Sequence, residues 1–290
     1  MANFYGTSGN DSITGSGSND YIFGGDGNDT IYGLDGADLI MGGSGNDWIA
    51  GGNGRDTIYG DAGDDIIRVT DASDYSTSAG DVIDGGAGWD VISAATTTSS
   101  GTTCVIRLGK VSYVEELQNT TSKDLVIEGS GLIDVSTIQK YSSSVSSFVQ
   151  IWGGSGNDTI NGFDFVSYSD TIIGGGGNDQ INGMAGNDYL LGMAGDDTLS
   201  GDAGNDVLTG YTGNDTFLFK YNANEGSDRI QDYTDGSDKI RFTGAGGAGF
   251  GDLVLTDIGA DCRIDLASGG SILLVGVNSA ALDAGDFIFG

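Results

Sequence analysis

Residues 6–68 read GTSGNDSIT, GSGSNDYIF, GGDGNDTIY, GLDGADLIM, GGSGNDWIA, GGNGRDTIY and GDAGDDIIR, one nine-residue phrase written seven times without a gap. Each copy opens on glycine, carries Asp at its sixth place (Asp11, Asp20, Asp29, Asp38, Asp47, Asp56 and Asp65) and Ile at its eighth. Six positions dense in Gly, Asn and Asp make a turn, because Gly and Asn tolerate the positive φ angles a tight turn demands. Three positions remain for a short strand, in which successive side chains alternate faces. With the eighth place pointing inward, Ile13, Ile22, Ile31, Ile40, Ile49, Ile58 and Ile67 form a ladder inside a thin roll, and the seventh and ninth places face out.

This phrase resembles G-G-x-G-x-D-x-U-x, the calcium-binding nonapeptide of the RTX family. The resemblance implies an all-β fold, a calcium-binding parallel β-roll or β-solenoid. Two turns and two strands close one coil, so a turn stacks on the turn 18 residues later: Asp11, Asp29, Asp47 and Asp65 share one edge and Asp20, Asp38 and Asp56 the other. Stacked coils lie about 4.8 Å apart, which holds carboxylates close along each edge and calls for a cation. Calcium suits the chemistry, since it takes six to eight oxygens at roughly 2.3–2.6 Å, and the phrase offers no His or Cys to a softer metal.

The resemblance also implies ligand sets. One ion lies between two stacked turns and takes carbonyls from places two and four plus the Asp of the earlier turn, and carbonyls from places one and three plus the Asp of the later turn. On this chain that gives Thr7, Gly9, Asp11, Gly24, Asp26 and Asp29, and on the other edge Ser16, Ser18, Asp20, Gly33, Asp35 and Asp38. Next come Gly25, Gly27, Asp29, Gly42, Ser44 and Asp47, then Leu34, Gly36, Asp38, Gly51, Asn53 and Asp56, then Gly43, Gly45, Asp47, Gly60, Ala62 and Asp65. The competing reading is a Gly/Asp-rich linker that binds nothing, and the strict joint phasing of Gly, Asp and Ile argues against it.

After residue 68 the phrase breaks at VTDASDYSTSAG and returns once as GGAGWDVIS, with Asp81 and Asp90 nine apart and Asp90 added to the ligands, as expected of a coil with an enlarged turn. Residues 94–152 lack the phrase. They open on the low-complexity SAATTTSSGTT, and CVIRL, YVEELQN, DLVIEG, LIDVSTIQ and FVQIW then read as strands. A solenoid continuing without calcium is the simplest account, with a small inserted β-domain as the alternative. A second block starts with GGSGNDTIN at 153–161, passes through the lengthened unit GFDFVSYSDTII and resumes with five regular copies. Its implied ligands are Gly154, Gly156, Asp158, Gly174, Gly176 and Asp179, then Gly175, Gly177, Asp179, Gly192, Ala194 and Asp197, then Met193, Gly195, Asp197, Gly210, Thr212 and Asp215 on one edge. Met184, Gly186, Asp188, Gly201, Ala203 and Asp206 serve the other. Asp170, in the lengthened unit, is left out.

From residue 219 the repeat dissolves into NEGSDRIQDYTDGSDKIRF, LVLTDIG, CRIDLA and SILLVGV, which resemble the β cap of serralysin-type proteases. The ending LDAGDFIFG resembles the uncleaved signal read by type I secretion systems. Four regions are therefore expected: a first roll block at 1–93, a β-rich connector at 94–152, a second block at 153–218 and a cap with the secretion signal at 219–290.

Composition narrows the function. Eleven Lys and Arg against 42 Asp and Glu leave a net charge of −31, which repels phosphates and anionic membranes and argues against nucleic acid or membrane insertion. MANFYGTSGND carries no charged and apolar leader. Cys104 and Cys262 show no framework spacing and read as buried free thiols, with a disulfide outside the cell as the alternative. The chain has no His, which excludes a Ser-His-Asp triad and an H-E-x-x-H zinc site, and it has no G-x-S-x-G elbow, so it is not expected to be an enzyme. Place three shows no regular Thr row, against an ice-binding ladder. The expected function is a secreted calcium-binding structural or adhesive surface protein, an S-layer, matrix or filament subunit exported by a type I system of a Gram-negative bacterium. The alternative is the calcium-dependent folding and secretion module of a larger exoprotein, with Met1 close to the first repeat weighing mildly against it. An outward ladder of Tyr21, Phe23, Leu39, Met41 and Tyr59 marks a candidate self-association face.

Overall fold

The computed structural model describes residues 1–70, 81–95, 103–112, 114, 116–119, 124–128, 132–135, 138, 140–143, 149–164 and 169–290. It is all-β, and its chain divides into two compact units, Met1–Val149 and Gln150–Gly290. The break VTDASDYSTSAG, the run SAATTTSSGTT and the bulge of GFDFVSYSDTII lie wholly or largely outside the described residues.

In the first unit the phrase alternates between two parallel sheets. One stacks Asn3–Tyr5, Tyr21–Asp26, Leu39–Ser44, Thr57–Ala62 and Asp81–Ala87, and the other Ser12–Thr14, Thr30–Asp35, Trp48–Asn53, Ile66–Thr70 and Val91–Ala95. Register is 18 residues per coil, as in Ile22 opposite Ile40 and Ile40 opposite Ile58. It lengthens to 25 where Ile58 faces Ile83 and Ile67 faces Ile92. All seven phrase isoleucines are buried, and Ile83 and Ile92 continue the ladder.

Ser12–Thr14, Thr159–Asn161, Gln180–Asn182 and Thr198–Ser200 have the expected three residues, and many other strands are longer. Tyr21–Asp26 and its neighbours run six, through places seven to nine and on through places one to three of the next copy. The glycine-dense half still keeps its ladder partners, Gly25 opposite Gly43 and Gly43 opposite Asp61, because stacking on an identical coil supplies the hydrogen bonds that a lone turn would leave open.

Four strands in residues 103–143 stack on the same two sheets. Thr103–Ser112 pairs with Asp81–Ala87 and Asp124–Glu128, and Glu116–Asn119 pairs with Val91–Ala95, all parallel. Lys140–Ser143, which the sequence pattern did not mark, adds to Glu116–Asn119. The side chain of Cys104 lies outside the described set.

The second unit repeats the roll. Val149–Ser155, Thr171–Gly176, Tyr189–Ala194, Val207–Thr212 and Ser227–Ile230 stack in one sheet. Thr159–Asn161, Gln180–Asn182, Thr198–Ser200, Thr216–Lys220 and Lys239–Thr243 stack in the other. Toward the C-terminus Ser271–Leu274 adds parallel to Ser227–Ile230, and Asp261–Asp265 and Val254–Ile258 then fold back antiparallel. Cys262 is a buried free thiol. The final strand, Phe287–Phe289, pairs with Lys239–Thr243. Phe287 packs 5.2 Å from Phe250 and Phe289 5.4 Å from Phe242, so the expected signal segment is part of the folded end.

Candidate calcium-binding turns

Each roll edge is held by one repeated bond. The amide of an aspartate donates to Oδ1 of the aspartate one coil on: Asp20 to Asp38 at 2.7 Å, Asp29 to Asp47 at 2.8 Å, Asp38 to Asp56 at 2.9 Å, and Asp47 to Asp65 at 2.8 Å. The long coil keeps the rule, with Asp81 accepting from Asp56 and Asp90 from Asp65. The second unit repeats it, Asp158 donating to Asp179, Asp179 to Asp197, Asp188 to Asp206 and Asp197 to Asp215.

The second carboxylate oxygen is the telling one. Oδ2 of Asp29, Asp38, Asp47, Asp65, Asp179, Asp188, Asp197 and Asp206 is buried with no hydrogen-bond partner. An unpaired buried acceptor carries a desolvation penalty of about 1–3 kcal/mol, more for a charged group, so a row of them implies something that neutralises it. Glycine at place one leaves the room. A methyl group on Gly42 would sit 2.3 Å from Asp47 Oδ2 and 2.7 Å from the Gly60 carbonyl oxygen; on Gly24 it would meet the Gly42 carbonyl at 2.3 Å and Asp29 Oδ2 at 2.5 Å. Gly33, Gly51, Gly60, Gly174, Gly192, Gly201 and Gly210 show the same contact with their own Asp. The earlier turn's carboxylate and the later turn's place-one carbonyl, two of the six implied ligands, thus converge beside that glycine. No group of three or more His, Cys, Asp or Glu comes together among the described residues, so an ion here draws on backbone carbonyls as much as on side chains. That donor set fits calcium.

Electrostatics agree. Burial first, and the neighbouring carboxylates after it, push Asp38 and Asp47 up to about 6, Asp65 and Asp197 to about 7, Asp188 to about 8 and Asp206 and Asp215 to about 6. A divalent cation between them would remove the repulsion.

Three placements differ from the sequence reading. Asp11 and Asp20, assigned to ligand sets with Asp29 and Asp38, have Oδ2 already engaged. Thr7 donates to Asp11 Oδ2 from its amide at 2.6 Å and its hydroxyl at 2.8 Å, and Ser16 donates to Asp20 Oδ2 from both groups at 2.7 Å. Asp20 is consequently held below the ordinary carboxylate value: against the burial that would raise it, the Ala2 amide and the Ser16 hydroxyl and amide prevail. Asp170, left out of the ligands, belongs to the row, its amide donating to Asp188 Oδ1 at 2.8 Å. The rows also run on into residues 219–290, where Asp228 and Asp238 accept from Asp206 and Asp215 at 3.0 Å. The signal was present in the two GSD[RK]I runs, which keep the close of the phrase without its opening.

A second ladder was missed. Asn at place five does not adopt the positive φ that its turn propensity allows, and its side chain reaches across the coils instead. Asn10 Oδ1 accepts from the Asn28 amide, Asn28 from Asn46 and Asn46 from Asp64, each at 2.9–3.0 Å, and Asn157, Asn178 and Asp196 repeat the pattern. Positive φ sits instead at places two and four, as in Gly25 and Gly27.

A family model described as the RTX calcium-binding nonapeptide repeat matches residues 5–40, 32–67, 41–74, 77–96, 149–164, 166–199 and 191–218, together more than half the chain. Among solved structures, the chain is similar to the AlgE6R3 subunit of the Azotobacter vinelandii mannuronan C5-epimerase, at 30% identity over 47% of this chain and 80% of that one, with a TM-score of 0.31. The AlgE6R2 subunit gives 30% identity over 48% and 91%, with a TM-score of 0.29. The extracellular lipase LipA from Serratia marcescens gives 20% identity over 100% of this chain and 40% of that one, with a TM-score of 0.34. Curated protein sequences give no match.

Proposed function

Because the chain belongs to the family carrying the RTX calcium-binding nonapeptide repeat, we propose that it is a secreted structural or adhesive protein that folds on meeting extracellular calcium and then assembles. The observation behind this reading is the row of buried, unpartnered Asp Oδ2 oxygens along each roll edge. Asp29, Asp38, Asp47, Asp65, Asp179, Asp188, Asp197 and Asp206 would hold the ions together with carbonyls of the adjoining turns. Bound calcium neutralises neighbouring carboxylates and ties each turn to the next.

A magnitude argument favours dependence on the ion. Ordering one residue costs about 1–2 kcal/mol of backbone entropy, and glycine loses most. A fully buried Ile returns about 1.5–3 kcal/mol, and each nine-residue phrase supplies one. Metal binding to a chain with no preformed site is folding free energy, and extracellular calcium modules bind at about 0.1–1 mM. A chain kept unfolded by scarce cytosolic calcium suits type I export, after which external calcium folds it.

The test is circular dichroism with added millimolar calcium, which converts a disordered spectrum to β, with magnesium much less effective. A full β spectrum in chelator would refute the switch. The structural role is tested separately by the mass of the native secreted species: a chain ending near 290 residues supports it, and a larger protein carrying an enzyme supports the folding-and-secretion module.

A further inference from the structure

The open Oδ2 of a metal-ready turn goes with one backbone feature. In the turns of Asp29, Asp38, Asp47, Asp65, Asp179, Asp188, Asp197 and Asp206 the place-two residue is left-handed, whether glycine, as at Gly25 (φ 110) and Gly43 (φ 109), or not, as at Leu34 (φ 80) and Met193 (φ 81). Left-handed backbone is unfavourable for any residue with a Cβ. Yet every non-glycine with positive φ among the described residues, Leu34, Asp61, Met184, Met193, Asp202 and Tyr211, stands at place two. The strain is confined to the position whose amide decides what the aspartate sees.

Thr7, Ser16 and Phe163 also stand at place two and are not left-handed. Their amides donate to Oδ2 of Asp11, Asp20 and Asp170 at 2.6, 2.7 and 2.7 Å. Thr7 and Ser16 are the only Ser or Thr at that place in the phrase copies, and each hydroxyl adds a second bond to the same oxygen. Short side chains of this kind characteristically bond their own local backbone segment. At Thr7 and Ser16 the cradle shifts as well: a methyl on Gly6 or Gly15 would lie 3.0 or 3.1 Å from the aspartate oxygen, against 2.2–2.7 Å in the open turns, whereas Gly162 in the Asp170 turn keeps 2.6 Å and only the Phe163 amide bond marks that turn as closed.

We propose that place two is a switch, and that the turns of Asp11, Asp20 and Asp170 are closed by protein hydrogen bonds and take no calcium through their own aspartate. The ion ladders of the first unit accordingly begin at the turns of Asp29 and Asp38, and the family's ligand sets pairing Asp11 with Asp29 and Asp20 with Asp38 do not form in this chain. This rests on the reading that the open turns bind calcium. Ser or Thr at place two then acts as a sequence-encoded stop for the ladder.

Counting ions by native mass spectrometry of the full chain at saturating calcium tests this. The pair Asp11→Asn and Asp20→Asn, and separately Asp170→Asn, are expected to keep the wild-type count, whereas Asp29→Asn with Asp38→Asn loses at least two ions. The pair Thr7→Gly and Ser16→Gly, which removes the hydroxyls and frees the left-handed conformation, is expected to gain up to two. Equal losses from the two Asp→Asn pairs, or no gain with glycine at 7 and 16, would overturn the switch. Absence of bound calcium in the wild type would instead overturn the calcium reading itself. The gain-of-site pair retains every aspartate, so it reports even where an Asp variant folds poorly.

Discussion

The Asp29 amide donates to Oδ1 of Asp47 at 2.8 Å, and that same carboxylate keeps its Oδ2 buried without a partner. One side chain therefore clasps the preceding coil and faces the ion position at once. Replacing Asp47 by Ala deletes the clasp and a ligand; the lost acceptor alone leaves a buried amide unsatisfied, at about 1–3 kcal/mol. Asp11→Ala removes a carboxylate that Thr7 already satisfies and leaves no Asp amide of an earlier coil stranded. In calcium titrations followed by circular dichroism, Asp47→Ala is expected to raise the midpoint several-fold and Asp11→Ala to leave it close to wild type.

Place-one glycine is predicted to matter for space alone. Gly42 lacks positive φ, but a Cβ there would lie 2.3 Å from Asp47 Oδ2, whereas a Cβ on Gly9 meets nothing within 4 Å. Overpacking of this kind costs roughly 1–3 kcal/mol. Gly42→Ala should weaken calcium-induced folding, and Gly9→Ala should leave it within error of wild type in the same titration.

The titration of the edge carboxylates sets a pH dependence of opposite sign with and without metal. Burial raises Asp47 to about 6, Asp65 and Asp197 to about 7 and Asp188 to about 8, against about 3.9 in the unfolded chain. Between these values the metal-free fold holds protons that the unfolded chain has released, so its stability falls as pH rises through that window. In chelator, β signal should therefore grow as pH drops from 8 toward 5. Calcium needs the ionised form, so its affinity should fall over the same range, measured as the titration midpoint at pH 7.5 and 5.5. A chelated protein that loses β signal on acidification would contradict the assignment.

The fold was legible because the phrase fixes face, turn and stacking together: one Ile per nine residues at a constant place can be buried only if coils repeat, and 18-residue register follows. What escaped was set by neighbours rather than by the phrase. Six-residue strands exist because an identical coil lies above and below. The Asn10–Asn28 ladder depends on contact between coils, which single-copy turn propensities do not contain. Asp11 and Asp20 are expected to bind ions because their phrase is regular; the mapping reads place two only for its backbone carbonyl, and so does not register the Thr7 and Ser16 hydroxyls that donate to those aspartates.

Residues 282–290 are predicted to serve two separable ends. Phe287–Phe289 pairs with Lys239–Thr243 and Phe287 is buried, so deleting the segment strips the end of the second roll of its aromatic cover as well as the proposed export signal. Secretion assays should find the truncated chain inside the cell. The double substitution Phe287→Ser and Phe289→Ser should instead lower the melting temperature of the calcium-loaded protein by several degrees. Normal export of the truncation would remove the signal assignment and leave the structural role standing.

Self-association is predicted through the sheet face that carries Tyr21, Phe23, Leu39, Met41 and Tyr59. The strands Tyr21–Asp26, Leu39–Ser44 and Thr57–Ala62 stack in parallel, so these outward positions line up into one ladder, which Tyr5 extends, its ring 6.3 Å from that of Tyr21. Tyr5, Phe23 and Tyr59 are exposed. The other sheet is self-occupied by comparison: Tyr32 lies 5.1 Å from Trp48, and the Arg68 guanidinium sits 6.0 Å over the Trp48 ring. In the second unit the outward positions of Thr159–Asn161 and Gln180–Asn182 are polar, with Asn182 donating to Asn161, so places seven and nine of the phrase do not by themselves require aromatics. Contiguous exposed apolar surface of this kind marks contact sites. Phe23→Ser with Met41→Ser should leave the calcium titration unchanged, since both side chains point away from Ile22 and Ile40. It should shift the sedimentation profile in calcium toward the monomer. A wild type that stays monomeric at high concentration in millimolar calcium would remove assembly from the proposed function while leaving calcium-driven folding intact.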